Sequence, residues 1–202
     1  MTTLDGAIVP MVYDRESART LLKKDDCALV VVDIQEKLLP PIHQRERLVR
    51  NTQLLLRLAK IIDIPVVATT QYARGLGRTV PEIAVLLPKD EPVDKLQFGC
   101  FANERFCAAL KTLPGQRNTL LLCGMETHIC VMQTALGALD NGYIVHVASD
   151  AVGSRTEWNW KIGLERMQAA GALISSTEMM IYELLGGSGG AAFKEMLPYL
   201  KG

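Results

Sequence analysis

The chain predicts a three-layer α/β fold: a six-stranded, mostly parallel, Rossmann-like sheet with helices on both faces. Two observations carry this. Apolar runs of strand length alternate with stretches of helical periodicity along most of the 202 residues, which is the pattern of βαβ units and of a sheet covered on both sides. The connections are short and no shift in composition marks a boundary, so residues 27–202 read as one domain. Residues 1–26 read as an N-terminal arm or short helix, whose apolar stretch at 7–12 suits a contact with a neighbouring subunit.

The elements follow in order. Residues 28–32 are continuously apolar and end at Asp33, as a buried strand does. Residues 48–63 carry Leu48, Leu55, Leu58, Ala59 and Ile62 on one stripe and predict a helix. Residues 65–69 form the second strand, and a polar, glycine-containing loop runs from 71 to 79. A short strand at 93–96 precedes a helix at 103–113, and the apolar run at 119–123 gives the fourth strand. Residues 128–140 have helical spacing, 143–148 strand character and 158–170 helical character again. A last strand at 172–175 leads to a helix through Leu185 with Thr177 as its cap. The glycines at 186, 187, 189 and 190 then break the chain before a short terminal helix.

Composition excludes several classes of function. Hydrophobic residues at 49% and charged residues at 22% are ordinary for a globular protein. Lys+Arg 22 balances Asp+Glu 22, so nothing electrostatic points to nucleic acid or an anionic membrane. No apolar run approaches the ~20 residues that span a bilayer, and no basic segment followed by an apolar one opens the chain. The five cysteines (Cys27, Cys100, Cys107, Cys123 and Cys130) are odd in number and form no C-x-x-C pair. They predict reduced thiols in a cytoplasmic protein, with neither a disulfide framework nor a zinc site.

In open parallel sheets ligands bind beyond the carboxyl ends of the strands. Asp33 ends the first strand, Gln71 and Tyr72 follow the second, Lys95 lies at the third, and residues 124–130 follow the fourth. Polar residues distant in sequence thus fall on one edge. Cys130 sits where a buried strand turns into a helix, a place where a helix N-terminus favours a thiolate. Asp33 could serve as its base and Lys95 as the cation that holds Asp33 and lowers the thiol pKa. The backbone N–H groups of Glu126 and Cys130 could hold a developing oxyanion. Each residue also has a plainer reading: a strand-end cap for Asp33, a solvated cation for Lys95, a small core residue for Cys130. His128 lies two residues from Cys130, a helical spacing that points side chains apart, and reads as a capping or packing group.

Together these segments resemble the isochorismatase-like cysteine hydrolase superfamily. The resemblance rests on Val30-Val31-Val32-Asp33-Ile34-Gln35, Gln71-Tyr72-Ala73-Arg74-Gly75-Leu76-Gly77, Asp94-Lys95, Gly124-Met125-Glu126-Thr127-His128-Ile129-Cys130-Val131 and Ser149-Asp150-Ala151-Val152-Gly153-Ser154-Arg155. It covers about residues 27–185, and the loop at 71–77 and the run at 126–130 look most like the branch called isochorismatase domain-containing proteins.

The resemblance implies a catalytic triad of Asp33, Lys95 and Cys130, an oxyanion hole made by the N–H groups of Glu126 and Cys130, and a cis peptide bond between Met125 and Glu126. It implies a thioester mechanism on a small-molecule amide and commonly a homo-oligomer, with no cofactor. Nicotinamidases of the superfamily carry an aspartate and histidines as metal ligands after the second strand. Residues 71–82 contain neither residue type here, so no metal is expected and nicotinamide is an improbable substrate. Siderophore-type isochorismatases, which cleave a vinyl ether, can lack the cysteine; this chain keeps Cys130, which favours covalent amide chemistry over ether hydrolysis. Tyr72, Phe98 and Phe101 are expected around a small pocket, Gln35 is expected to meet substrate or Lys95, and Asp150 to play a structural part.

Overall fold

The computed structural model describes residues 19–201; the apolar stretch assigned to a subunit contact lies outside the described residues. A single turn of 3-10 helix at Lys24–Asp26 leads into β1 (Cys27–Val32). Six strands form one sheet in the order β3-β2-β1-β4-β5-β6, and every neighbouring pair is parallel. The remaining strands are β2 (Val66–Gln71), β3 (Val93–Lys95), β4 (Thr119–Met125), β5 (Ile144–Gly153) and β6 (Leu173–Ser175).

The helices cover both faces because β1 is buried along all six residues. Its odd positions, Cys27, Leu29 and Val31, pack with α1 (Arg45–Ile61), α7 (Thr177–Leu185) and α8 (Ala191–Leu200). Its even positions, Ala28, Val30 and Val32, pack with α4 (Glu104–Lys111), α5 (Met132–Asp140) and α6 (Glu157–Ala169). The period of two along the strand thus assigns alternate side chains to two separate cores. Two single-turn helices, α2 (Ala73–Leu76) and α3 (Pro81–Ala84), interrupt the loop between β2 and β3.

Several boundaries differ from the expectation. The fifth strand does not stop at Ala148; the β4–β5 register jumps from Leu122↔Val147 to Gly124↔Val152, so Ser149-Asp150 sit in a bulge and pairing resumes to Gly153. Trp160 Nε1 donates to the Ser149 carbonyl at 2.9 Å and Asn51 Nδ2 to that of Asp150 at 3.0 Å, which satisfies the bulge. Thr177 is not the cap of α7: Ser176 accepts from Met179 N at 3.2 Å. Thr177 instead donates through both N (2.7 Å) and Oγ1 (2.8 Å) to Asp150 Oδ1, the structural part expected of that aspartate. The helix expected at 128–140 begins as a π-helical turn, Thr127–Val131, before α5 takes over.

β4 runs on through Gly124 and Met125, hard against the end of β1. Gly124 has φ +118, and a Cβ there would lie 2.1 Å from Val32 O and 2.6 Å from Val32 N. No side chain fits without parting the two strands that carry Asp33 and the turn of Cys130. Gly124→Ala should therefore cost about 3 kcal/mol or more of stability, read as a fall in the urea midpoint; an unchanged midpoint would show that the strands can part freely.

Candidate active site

Asp33 is the first residue beyond β1. Its φ of +52 is left-handed, a conformation aspartate tolerates better than most side chains. Its N–H donates to the Thr69 carbonyl of β2 at 3.2 Å, and its side chain is completely buried. Oδ1 accepts from the Thr69 hydroxyl at 2.7 Å. Oδ2 accepts from Lys95 Nζ at 2.6 Å.

Lys95 reaches Asp33 across the whole end of β2. It is the last residue of β3, in register with Gln71, and its side chain has no exposed surface. Beyond Asp33, Nζ donates to Gln71 Oε1 at 2.8 Å and to the carbonyls of Gln97 and Phe98, both at 3.2 Å. Gln71 is fixed in turn, because its Nε2 donates to the Leu96 carbonyl at 2.8 Å. The ammonium thus has acceptors for all its protons, as a buried charge requires.

Gln35 is a correction to the sequence reading. Its amide is not bonded to Lys95; it is fully buried and grips backbone instead. Oε1 accepts from Gln71 N at 2.7 Å, while Nε2 donates to the carbonyls of Gln71 (3.1 Å) and Gly77 (2.7 Å). The partner of Lys95 is Gln71, which sequence reasoning placed at this edge without a role. The parity of β2 was the available signal: Thr69 and Gln71 alternate onto one face, level with Lys95.

Tyr72 and Phe98, in the segments that follow β2 and β3, are 47% and 55% exposed. Phe101 does not join them; it packs on Phe106 and Tyr143 in the core under α5.

Cys130 arrives from the other side of Asp33, after β4. The Met125–Glu126 peptide is cis, as the resemblance implied. The Glu126 carbonyl accepts from Ile129 N (3.0 Å) and Val131 N (3.2 Å), passing over Cys130 between them. The Glu126 carboxylate turns away to Arg155, taking its N at 3.0 Å and its Nε at 3.1 Å. His128 Nδ1 faces the Ser154 hydroxyl at 3.0 Å. α6 lies directly on this turn through Gly163, where a Cβ would come within 3.0 Å of His128 Cα and N.

Cys130 is 7% exposed, and its thiol lies within the electrostatic reach of the Asp33 carboxylate and the Lys95 ammonium. Burial first, and then the negative charge of Asp33, push it from 9.0 up to about 12; Lys95 pulls the other way without prevailing. The thiolate expected from a helix start is therefore not the resting state. The sulfur is removed from water, a carboxylate is its neighbour, and a π turn stands where a regular helical first turn was expected. All five cysteines are free thiols. Among the described residues no group of three His, Cys, Asp or Glu side chains is placed to hold a metal, and no helix is long and apolar enough to cross a membrane.

Residues 27–179 match the model of the isochorismatase domain. The chain belongs to the isochorismatase family. Similar proteins include the secreted isochorismatase effector Isc1 of Phytophthora sojae, 40% identical over 86% of this chain and 83% of that protein. Isochorismatase domain-containing protein 2 of Rattus norvegicus is 36% identical over 86% and 80%. Among solved structures, the MAR1 ribonuclease of Caenorhabditis elegans superimposes with a TM-score of 0.83 at 33% identity, over 91% of this chain and 93% of its own. The YcaC gene product of Escherichia coli, described as an octameric hydrolase of unknown specificity, gives 0.81 at 27% identity, over 90% and 94%. Family and neighbours together support a hydrolase-type fold.

The electrostatics around Cys130 have a direct readout. Asp33→Asn removes the anion beside the sulfur, so the pH profile of Cys130 alkylation by iodoacetamide should shift to lower pH, burial alone then holding the thiol up. Lys95→Ala should move it further up. Peptide mass mapping follows Cys130 alone; profiles identical to the parent in both variants would refute the assignment.

Proposed function

We propose that this protein is a cysteine hydrolase that cleaves a small amide, or a related C–N bond, through a thioester on Cys130. One observation carries the reading: a completely buried Asp33–Lys95 pair at 2.6 Å whose two charges both act on the Cys130 thiol.

Asp33 takes the thiol proton as Sγ attacks the carbonyl carbon, which avoids the cost of a standing thiolate in a buried site. Lys95 stays paired with Asp33 and holds the carboxylate in place. The oxyanion is received by the N–H groups of Glu126 and Cys130; the Glu126 carbonyl bonds the N–H groups on either side of Cys130 and leaves that one aside. Asp33 returns the proton to the departing nitrogen as the C–N bond breaks. It then deprotonates the water that attacks the thioester, and the proton ends on the sulfur as the acid departs.

Tyr72 and Phe98 form the wall that selects a small substrate. A homo-oligomer fits the octameric state of the Escherichia coli neighbour. Five free thiols fit a reducing, cytoplasmic compartment, although the Phytophthora relative is described as secreted. RNA, which the name of the Caenorhabditis elegans neighbour would suggest, is disfavoured by zero net charge and by a site lysine already fully paired.

The name of the 40% identical relative favours a second reading, hydrolysis of an isochorismate-type vinyl ether. Ammonia release from a panel of small amides, run beside an isochorismate assay, separates the two. Turnover of one amide that is lost in a folded Cys130→Ala variant is the expected result. Isochorismate cleavage that survives Cys130→Ala, with no amide turned over, would favour the second reading.

A further inference from the structure

Cys100 lies beside the site, and the mechanism above gives it no work. Its surroundings assign it some. The Thr69 hydroxyl has one proton and spends it on Asp33 Oδ1 at 2.7 Å. The Thr134 hydroxyl spends its proton on the carbonyl of Cys130 at 2.6 Å. Each hydroxyl can then only accept, and Cys100 is the donor to both: through Sγ to Thr69 at 4.0 Å and through N to Thr134 at 3.1 Å.

One residue therefore joins the strand that steadies the base to the helix that carries the nucleophile. All three residues are buried, Thr69 at 2% exposure and Cys100 and Thr134 at 0%, so water does not compete for these bonds. The segment itself is pressed onto α5. A Cβ at Gly99 would lie 3.1 Å from Gln133 Cβ, and one at Gly137 would lie 2.9 Å from Phe101 Cβ. Burial keeps the Cys100 thiol protonated by pushing it up to about 11, so it remains a donor at neutral pH.

We infer that Thr69 and Thr134, bridged by Cys100, are positioning residues that set the separation of the Asp33 carboxylate from the Cys130 sulfur. The inference rests on the reading of Cys130 as the nucleophile. Proton transfer and attack are steep functions of such separations, so a small loosening should appear in kcat rather than in substrate binding.

The test uses the amide turned over fastest in the panel. Thr69→Val and Thr134→Val should each lower kcat about tenfold with KM within about twofold, and Thr69→Ser and Thr134→Ser should restore most of it. Because both arms meet at Cys100, the double valine variant should lose clearly less than the product of the single losses. Cys100→Ala removes one arm only; it should lower kcat less than Thr69→Val does and add nothing in the Thr69→Val background. If a valine variant does not fold, Cys100→Ala alone should still lower kcat with KM unchanged. Multiplying losses, unchanged kcat, or an effect confined to KM would overturn the brace. Amide turnover persisting in Cys130→Ala would instead overturn the nucleophile itself, so the two failures are distinguishable.

Discussion

Lys95 and Asp33 meet at 2.6 Å with no side-chain surface exposed on either. Taking two such charges out of water costs several kcal/mol per ion unless geometry and further hydrogen bonds compensate. Here the compensation comes from β2 and the segment after β3: Gln71 and two carbonyls for the ammonium, the Thr69 hydroxyl for the carboxylate. Removing either partner would strand a buried charge, so β1, β2 and β3 must end in one mutual register. The pair is neutral as a whole, yet its carboxylate weighs more on the Cys130 thiol than its ammonium does. That asymmetry, added to burial, holds the thiol pKa up and suits the carboxylate to the part of base proposed for it.

Backbone shape does what side chains cannot. Asp33 leaves β1 in a left-handed conformation, so its carboxylate turns along the sheet edge instead of continuing the strand. Gly124 lets β4 close on β1 with no room for a Cβ, which brings the turn of Cys130 to the same edge. Gly163 lets α6 rest on that turn backbone to backbone. The π-helical geometry of Thr127–Val131, of a kind often found at functional sites, accompanies a Glu126 carbonyl that bonds Ile129 and Val131 but not Cys130. Gln35 ties the end of β2 to the loop at Gly77. These contacts are a scaffold for the ion pair and the thiol, and none of them needs to touch a substrate.

Much of this was legible in the chain. Continuous apolar runs between helical stripes gave the strands and their buried character, and strand ends placed Asp33, Lys95 and Cys130 on one edge. The bulge at Ser149-Asp150 was not legible, because two polar residues in a strand look like its end until a neighbouring strand resumes pairing beyond them. The role of Gln71 was missed for a related reason: two glutamines stood near the edge, and only the register of β2 with β3 shows which one meets Lys95. Thr69, Thr134 and Cys100 carry no local signal at all, since hydroxyls and thiols inside apolar runs read as packing.

The sequence by itself determined the doubly covered parallel sheet, the family, and the three residue types that meet at its edge, because periodicity and strand ends are local properties written one residue after another. Only the tertiary structure decided that the thiol is buried with its pKa pushed up, that Gln35 serves the backbone, and that one buried cysteine links Thr69 to Thr134. Those outcomes depend on burial and on ångström-scale contacts between segments far apart in the chain, where desolvation and a neighbouring charge outweigh anything a helix start confers.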